Sequence, residues 1–362
     1  MSKFKSASLI LENGKVFKGF AFGDERSTSG EVVFSTPMTG YTEMLTDPAY
    51  QGQILVMTYP LVGNYGVSNC ECVDSVIKSF ESDKIHVRGL IVTDCSFNYS
   101  HWNAAKSFRD WLIENHIPAI FGVDTREITK EIRENGVMLG KIVVEGCDEC
   151  AEFYDPNKEN LVSEVSLKEI TKYGSGDCKV VLVDCGSKEY IVNSLLKRGA
   201  EVVRVPWDYD FSTMEYDGVL LSTGPGNPEM CGVTIENIRK AMQTEKPILG
   251  IGLGHQLLAL AAGAKIQKLK CGHRGCNQPV VIEGTDRAVI TSQNHGYAVD
   301  ATTLPEGWEI RFTNLNDATN SGIGHINKPF ASVQFHPESS RGPEDTSFIF
   351  DNFIEQIRRC KK

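Results

Sequence analysis

Pro247-Ile-Leu-Gly-Ile-Gly-Leu-Gly-His-Gln-Leu-Leu-Ala-Leu-Ala-Ala-Gly263 is the stretch whose reading decides the fold. Pro247 to Ile251 is an apolar run that reads as a short buried strand. Gly252-Leu253-Gly254 breaks it sharply, His255 to Ala262 is helix-prone, and Gly263 can stop the helix. Strand, tight turn and helix in that order form the layout of a nucleophile elbow, whose apex residue sits strained beside a helix N-terminus. The field at that helix end favours an anion. The apex here is Gly252, which adopts positive φ without strain but has no side chain to act with.

On both sides of this stretch the chain alternates strand and helix. Lys179-Val-Val-Leu-Val-Asp184 is a buried strand, Tyr190 to Arg198 a helix, and Glu201-Val-Val-Arg-Val205 the next strand. Gly218-Val-Leu-Leu221, a Gly/Pro loop and a helix around Thr234 to Gln243 then lead into the elbow strand. The alternation predicts an α/β domain with a mostly parallel sheet and helices on both faces. Ligands bind such sheets at the carboxyl ends of strands, where the Gly224-Pro-Gly-Asn-Pro228 loop and the elbow both lie.

Earlier in the chain the rhythm differs. Asn13-Gly14 joins two extended runs as a hairpin, and Glu31–Phe34, Gln53–Thr58 and Val87–Val92 read as further strands. Helices follow from Ala104 to Asn115, with Phe108, Trp111 and Leu112 on one face, and from Arg126 to Asn135 behind an Asp124 or Thr125 cap. Strands first and helices later predict an α+β domain. Residues 144–177 are polar and lose periodicity, which places a boundary near 170–178 and divides the chain into domains 1–175 and 178–362.

Composition narrows the functional classes. The 362 residues are 41% hydrophobic and 23% charged, with a net charge of −10. That balance argues against a nucleic-acid binder or a basic membrane-surface protein. No apolar run reaches the roughly 18 residues that span a bilayer. Met1-Ser-Lys-Phe-Lys5 has no apolar signal-peptide core, so a cytoplasmic location is expected. The eleven cysteines read as free thiols of a reducing compartment. Cys147-x-x-Cys150 and Cys70-x-Cys72 lack the further ligands of a zinc site, and no metal is expected.

Ser332-Val-Gln-Phe-His-Pro-Glu338 places a His and a carboxylate late in the chain, at a strand end. An imidazole oriented by a carboxylate is the proton-transfer half of nucleophilic catalysis. Gly224-Pro-Gly226 reads as a backbone able to approach a ligand closely, or as a plain strand-to-helix turn. Gln256, two residues into the elbow helix, reads equally as a ligand contact and as a solvated helix residue.

Gly250-Ile-Gly-Leu-Gly-His-Gln256 resembles the elbow of class I glutamine amidotransferases, which carry Cys where this chain has Gly252. His-Pro-Glu resembles the family's motif and implies His336 as general base and Glu338 as its orienter. Gln293-Asn-His-Gly-Tyr-Ala-Val299 is similar to the glutamine-binding segment of the carbamoyl-phosphate synthase small subunit. Met38-Thr-Gly-Tyr-Thr-Glu43, Leu45-Thr-Asp-Pro48, Tyr59-Pro-Leu-Val-Gly-Asn-Tyr-Gly66 and Gly122-Val-Asp-Thr-Arg126 resemble that subunit's N-terminal domain, so the likeness covers nearly the whole chain. It implies oxyanion or substrate contacts from Gly224, Gly226, Leu253, Gln256, Asn294, Gly296, Tyr297 and Ala49. It also implies glutamine as substrate and an ammonia-receiving large synthetase subunit as partner. ATP, bicarbonate and Mg would be used by that subunit, with no cofactor in this chain. Val203-Arg-Val-Pro-Trp-Asp208 and Tyr216-Asp-Gly-Val219 look like the version fused into large animal synthases, and the end at Lys362 reads as a separate subunit.

Two positions depart from the family. Ala49 stands where many members have a Ser, and Gly252 removes the thiol, with nothing to bring Cys271 or Cys276 to the apex. An introduced change, a natural loss that leaves a docking and ammonia-tunnel or regulatory subunit, and a non-enzymatic relative all fit the sequence.

Overall fold

The computed structural model describes residues 4–73, 76–147, 152–338 and 342–361. Two compact units emerge, Met1–Glu71 with Ile77–Glu159, and Cys72–Val76 with Asn160–Lys362. The division at Glu159/Asn160 falls before the expected 170–178. The polar stretch after it is anchored by a few apolar residues. Val162 is buried in a core with Val181 and Val203, and Thr171–Tyr173 pairs antiparallel with Ala200–Pro206.

In the first unit, strands close into a barrel. Around it run Ser6–Leu11, Met138–Val144, Thr28–Ser35, Gln53–Met57, Gly89–Val92, Ala119–Phe121 and Val16–Ala21. The Asn13-Gly14 hairpin pairs Ser8 with Lys18 as its turn chemistry requires. Asp124 caps the helix Thr125–Asn135 through the N–H groups of Arg126 and Glu127, and Gly136 closes it. The helix expected from Ala104 begins later, at Phe108, because Ser107 accepts the Asp110 N–H as N-cap. Ala104–Lys106 is instead a short strand paired with Val67–Ser68.

The second unit is built on one sheet. Its centre is parallel, in the order Ala200–Pro206, Cys178–Asp184, Gly218–Leu221, Ile248–Ile251 and Phe330–Val333. Alternate residues pack to opposite faces. Val180 and Leu182 meet Ile191 and Phe353, from the helices Glu189–Leu196 and Phe348–Cys360. Val181 and Val183 meet Ile238 and Leu257, from Gly232–Met242 and Leu253–Ala262. Burial on both faces explains the continuous apolar runs of these strands.

The sheet is mixed, not mostly parallel. Beyond Phe330–Val333 it continues antiparallel through Asn320–His325, Trp308–Asn314, Lys265–Ile282 and Ala288–Asp300. No α-helix separates these strands among the described residues, so each returns directly beside a neighbour.

The spacing of glycines in the opening stretch has a steric cause. A Cβ on Gly254 would lie 2.2 Å from the Leu221 carbonyl oxygen, and one on Gly250 would lie 2.5 Å from the Gly254 carbonyl oxygen. The helix therefore rests backbone to backbone on the strands beneath it. Gly254→Ala is expected to lose roughly 3 kcal/mol, a fall of roughly 6–12 °C in melting temperature for a unit of this size. Gly232→Ala, with open space around its Cβ, should stay within about 0.5 kcal/mol of the parent. Equal melting temperatures for the two variants would refute the close approach.

Candidate active site

Neighbouring parallel strands end together, and the segments that leave them converge, as open α/β sheets require of a ligand site. Cys178–Asp184 leads to Lys188, Gly218–Leu221 to Thr223, Ile248–Ile251 to Gly252, and Phe330–Val333 to His336. Gly252 turns the chain at φ 59° and ψ −111°, directly before the helix Leu253–Ala262. Its N–H donates to the Val333 carbonyl at 2.9 Å, and its own carbonyl accepts from His255 and Gln256. An ideal Cβ at Gly252 would lie 3.3 Å from Thr223 Cγ2 and 3.6 Å from His336 Cε1. A side chain at the apex would thus meet the His336 imidazole.

His336 is 3% exposed, and its Nδ1 lies 2.9 Å from Glu338 Oε1. Lys188 Nζ stands 3.3 Å from the same carboxylate oxygen and 3.3 Å from His336 Nδ1. Burial alone would raise the Glu338 pKa; the Lys188 ammonium and His336 outweigh it and hold the carboxyl at about 2. The ionised Glu338 can only accept, so His336 Nδ1 donates to it. His336 Nε2 is buried and has no hydrogen-bond partner among the described residues.

The other expected residues divide into those joined to this centre and those standing apart. The Leu253 N–H, at the first helical position, has no intrahelical acceptor. Gly224 comes close to the same residue, since a Cβ there would lie 2.7 Å from Leu253 Cδ2. Gly226 takes φ 80° against the Leu161 side chain. Gln256 is not solvated: it is 3% exposed, and its Nε2 donates to the Tyr297 carbonyl at 2.9 Å and to Gln334 Oε1 at 3.0 Å. Asn294, Gly296 and Tyr297 share the strand Ala288–Asp300, and the His336 N–H ties this strand to the centre through the Ser292 carbonyl at 2.9 Å. Ala49 belongs to the other unit, in the short turn Pro48–Tyr50, where its N–H donates to Asp47.

Several participants escape sequence reasoning. Lys188 sits in the loop after the first strand of the alternation, where the strand-end rule is the only pointer to it. His295 stands between two residues that the sequence does single out. Its Nδ1 lies 2.8 Å from the Tyr297 carbonyl oxygen, and its Nε2 lies 3.0 Å from Gln293 Oε1. Cys271 and Cys276 are half-buried on Lys265–Ile282, and no sulfur of a described residue is hydrogen-bonded to His336 Nε2. Among the described residues no cluster of His, Cys, Asp or Glu could hold a metal ion; Cys150 lies outside them. No helix of the described residues is long and apolar enough to cross a membrane.

Residues 181–356 match the glutamine amidotransferase class-I family, and residues 9–142 match the carbamoyl-phosphate synthase small chain, CPSase domain. The chain belongs to the carbamoyl-phosphate synthase small-chain family. Multifunctional protein CAD of Squalus acanthias is 52% identical over 98% of the chain, which covers 16% of that relative. Human carbamoyl-phosphate synthase (ammonia), mitochondrial, is 50% identical over 99% of the chain, which covers 24% of it. The chain therefore spans a quarter or less of these two relatives.

In this small-chain protein Glu338 links the site to acid stability. Its folded pKa of about 2 lies below the ordinary 4.5. The ionised form thus favours the folded state. The contribution is complete above about pH 4.5 and is lost as pH falls toward 2, at an upper size of roughly 3 kcal/mol. Urea unfolding of the parent should show stability falling between roughly pH 5 and pH 2. Glu338→Gln should be less stable at pH 7 and lack that part of the acid limb. Parallel curves for parent and variant would show that Glu338 does not carry it.

Proposed function

We propose that this chain is the glutamine amidotransferase part of a carbamoyl-phosphate synthase, with Gly252 at the position of the attacking Cys. It binds glutamine but hydrolyses it poorly. Carbamoyl phosphate, for arginine and pyrimidine synthesis, is then made by a large synthetase partner from free ammonia. ATP, Mg and bicarbonate belong to that partner.

The observation that carries this reading is the relation of apex to base. A buried His336 Nε2, without a hydrogen-bond partner among the described residues, belongs to a ring whose Cε1 is 3.6 Å from the Cβ position of Gly252. Imidazole, carboxylate and helix N-terminus form the proton-transfer and anion-stabilising parts of acyl transfer. The Leu253 N–H and Gly224–Gly226 backbone would face the developing oxyanion. Gln256, Asn294, Gly296 and Tyr297 would hold the substrate's α-amino and carboxylate groups.

A nucleophile-less subunit that serves docking, ammonia passage or regulation is favoured by one further observation. Some relatives of near-equal identity are named for ammonia. The two readings separate on reversion. Loss of the nucleophile in a comparable triad costs about 10⁶ in turnover. With its large partner, the chain should make carbamoyl phosphate from ammonium and almost none from glutamine. Gly252→Cys should restore glutamine use. Ready glutamine use by the unaltered chain would overturn the assignment of position 252. A folded, glutamine-binding but inactive revertant would favour the docking subunit.

A further inference from the structure

Three segments of the first unit that the glutamine reading leaves without a role meet at one cleft. Arg126 ends Gly122-Val-Asp-Thr-Arg126, Thr58 directly precedes Tyr59–Gly66, and Thr36 stands two residues before Met38–Glu43. All three line a cleft of about 570 Å³, a volume typical of small-molecule sites. Thr36 and Thr58 are the residues that follow Thr28–Ser35 and Gln53–Met57, two parallel neighbours of the barrel. The cleft therefore opens at the carboxyl ends of parallel strands, where ligands commonly sit.

Its other wall is the helix Thr125–Asn135. Arg126, Lys130 and Arg133 are spaced i, i+4 and i+7 and share one face, while Ile128 and Ile132 are buried on another. None of the three cationic side chains makes a hydrogen bond or an ion pair among the described residues. The acids of the same helix do not neutralise them. Glu131 is engaged by Lys15 and Asn13. Lys130 and Glu134 stand four apart, where helix neighbours can pair, yet they form no ion pair. Thr58 and Thr129 donate their hydroxyl protons to the Ser35 and Thr125 carbonyls, whereas Thr36 Oγ1 has no such bond among the described residues. In a chain of net charge −10, a cleft wall thus carries three cations and leaves one hydroxyl able to donate. Such a concentration of one sign in a cleft attracts the opposite charge.

We propose that this cleft binds a small molecule bearing a chain of phosphate groups. Guanidinium forks match phosphate oxygens in bidentate fashion, and the Lys130 ammonium adds a point charge. Arg126 and Arg133 are roughly 10 Å apart along the helix axis, a span that suits several linked anionic groups better than one. Thr36 Oγ1 supplies a further donor. The cleft lies wholly in the first unit, and none of its residues belongs to the glutamine site.

The probe is tripolyphosphate, titrated by calorimetry into the full chain without metal at low ionic strength. A single tripolyphosphate should bind per chain, at least about tenfold more tightly than orthophosphate. Arg126→Gln and Arg133→Gln should each weaken it by about tenfold or more, as loss of one charge-assisted bond does. Melting temperatures should stay unchanged, because both side chains are exposed. Thr36→Val keeps every charge and should still weaken binding. Lys172→Gln removes an exposed charge from the second unit and should change nothing. ATP binding more tightly than tripolyphosphate would assign a nucleotide; equal affinity, with no binding of adenosine, would assign the phosphate chain alone. Equal losses in Lys172→Gln and Arg133→Gln would reduce the effect to general charge attraction and overturn the proposal. So would orthophosphate binding as tightly as tripolyphosphate, or no binding of tripolyphosphate at all.

Discussion

The turn at Gly252 is the constraint on which the site depends. A chain leaving the central strand must reverse into a helix within one residue, and φ 59° achieves this. The helix must then lie against the sheet with no side chain between, because Gly254 meets the Leu221 backbone. Its N–H donates to the Ser222 carbonyl at 2.9 Å and binds the loop that carries Thr223 and Gly224 to the helix start. The position of Leu253 and the inward aim of Gln256 follow from that docking. So does the distance from apex to His336, since Gly252 itself bonds to the strand from which His336 emerges.

Electrostatics complete what the backbone begins. Lys188, His336 and Glu338 are all buried, and none would be stable there alone. The Lys188 and Glu338 charges are desolvated at a cost of several kcal/mol each, which mutual attraction offsets only while the geometry is kept. Glu338 shows the balance: burial acts against its ionisation, and the two neighbours prevail. The result is an imidazole with Nδ1 engaged and Cε1 3.6 Å from the Cβ position at the apex. A second polar chain, from Gln334 through Gln256 to the Tyr297 carbonyl and His295, links the helix to the strand of Asn294 and Gly296.

What is legible in the sequence is local. Three glycines in five residues, 250 to 254, mark a turn and a backbone contact, and both are present at that place. Asp124 and Gly136 bound their helix because caps act through neighbouring N–H and C=O groups. His336 and Glu338 lie two apart and are readable as a pair. Lys188 is not, because its partner is 148 residues away and nothing near it in the chain marks the contact. Barrel closure is hidden for the same reason: Ser6–Leu11 pairs with Met138–Val144 across most of that unit. The antiparallel half of the second sheet escapes because the strand-helix alternation that signals a parallel sheet stops at the elbow helix, and direct strand-to-strand returns follow it.

The persistence of His336 and Glu338 beside a glycine carries less functional weight than it first suggests. Truncating one member of a buried ionic group leaves the others unpaired, at a typical cost of about 3–5 kcal/mol. Lys188, His336 and Glu338 are therefore bound to one another by stability whether or not glutamine is cleaved. The apex is under the opposite pressure. A side chain held at φ 59° and ψ −111° is strained by about 1–3 kcal/mol, and glycine relieves that strain. Among the residues of the centre, position 252 is thus the one at which the fold least favours a side chain. A paired His336 and Glu338 beside a glycine is the arrangement that stability alone favours.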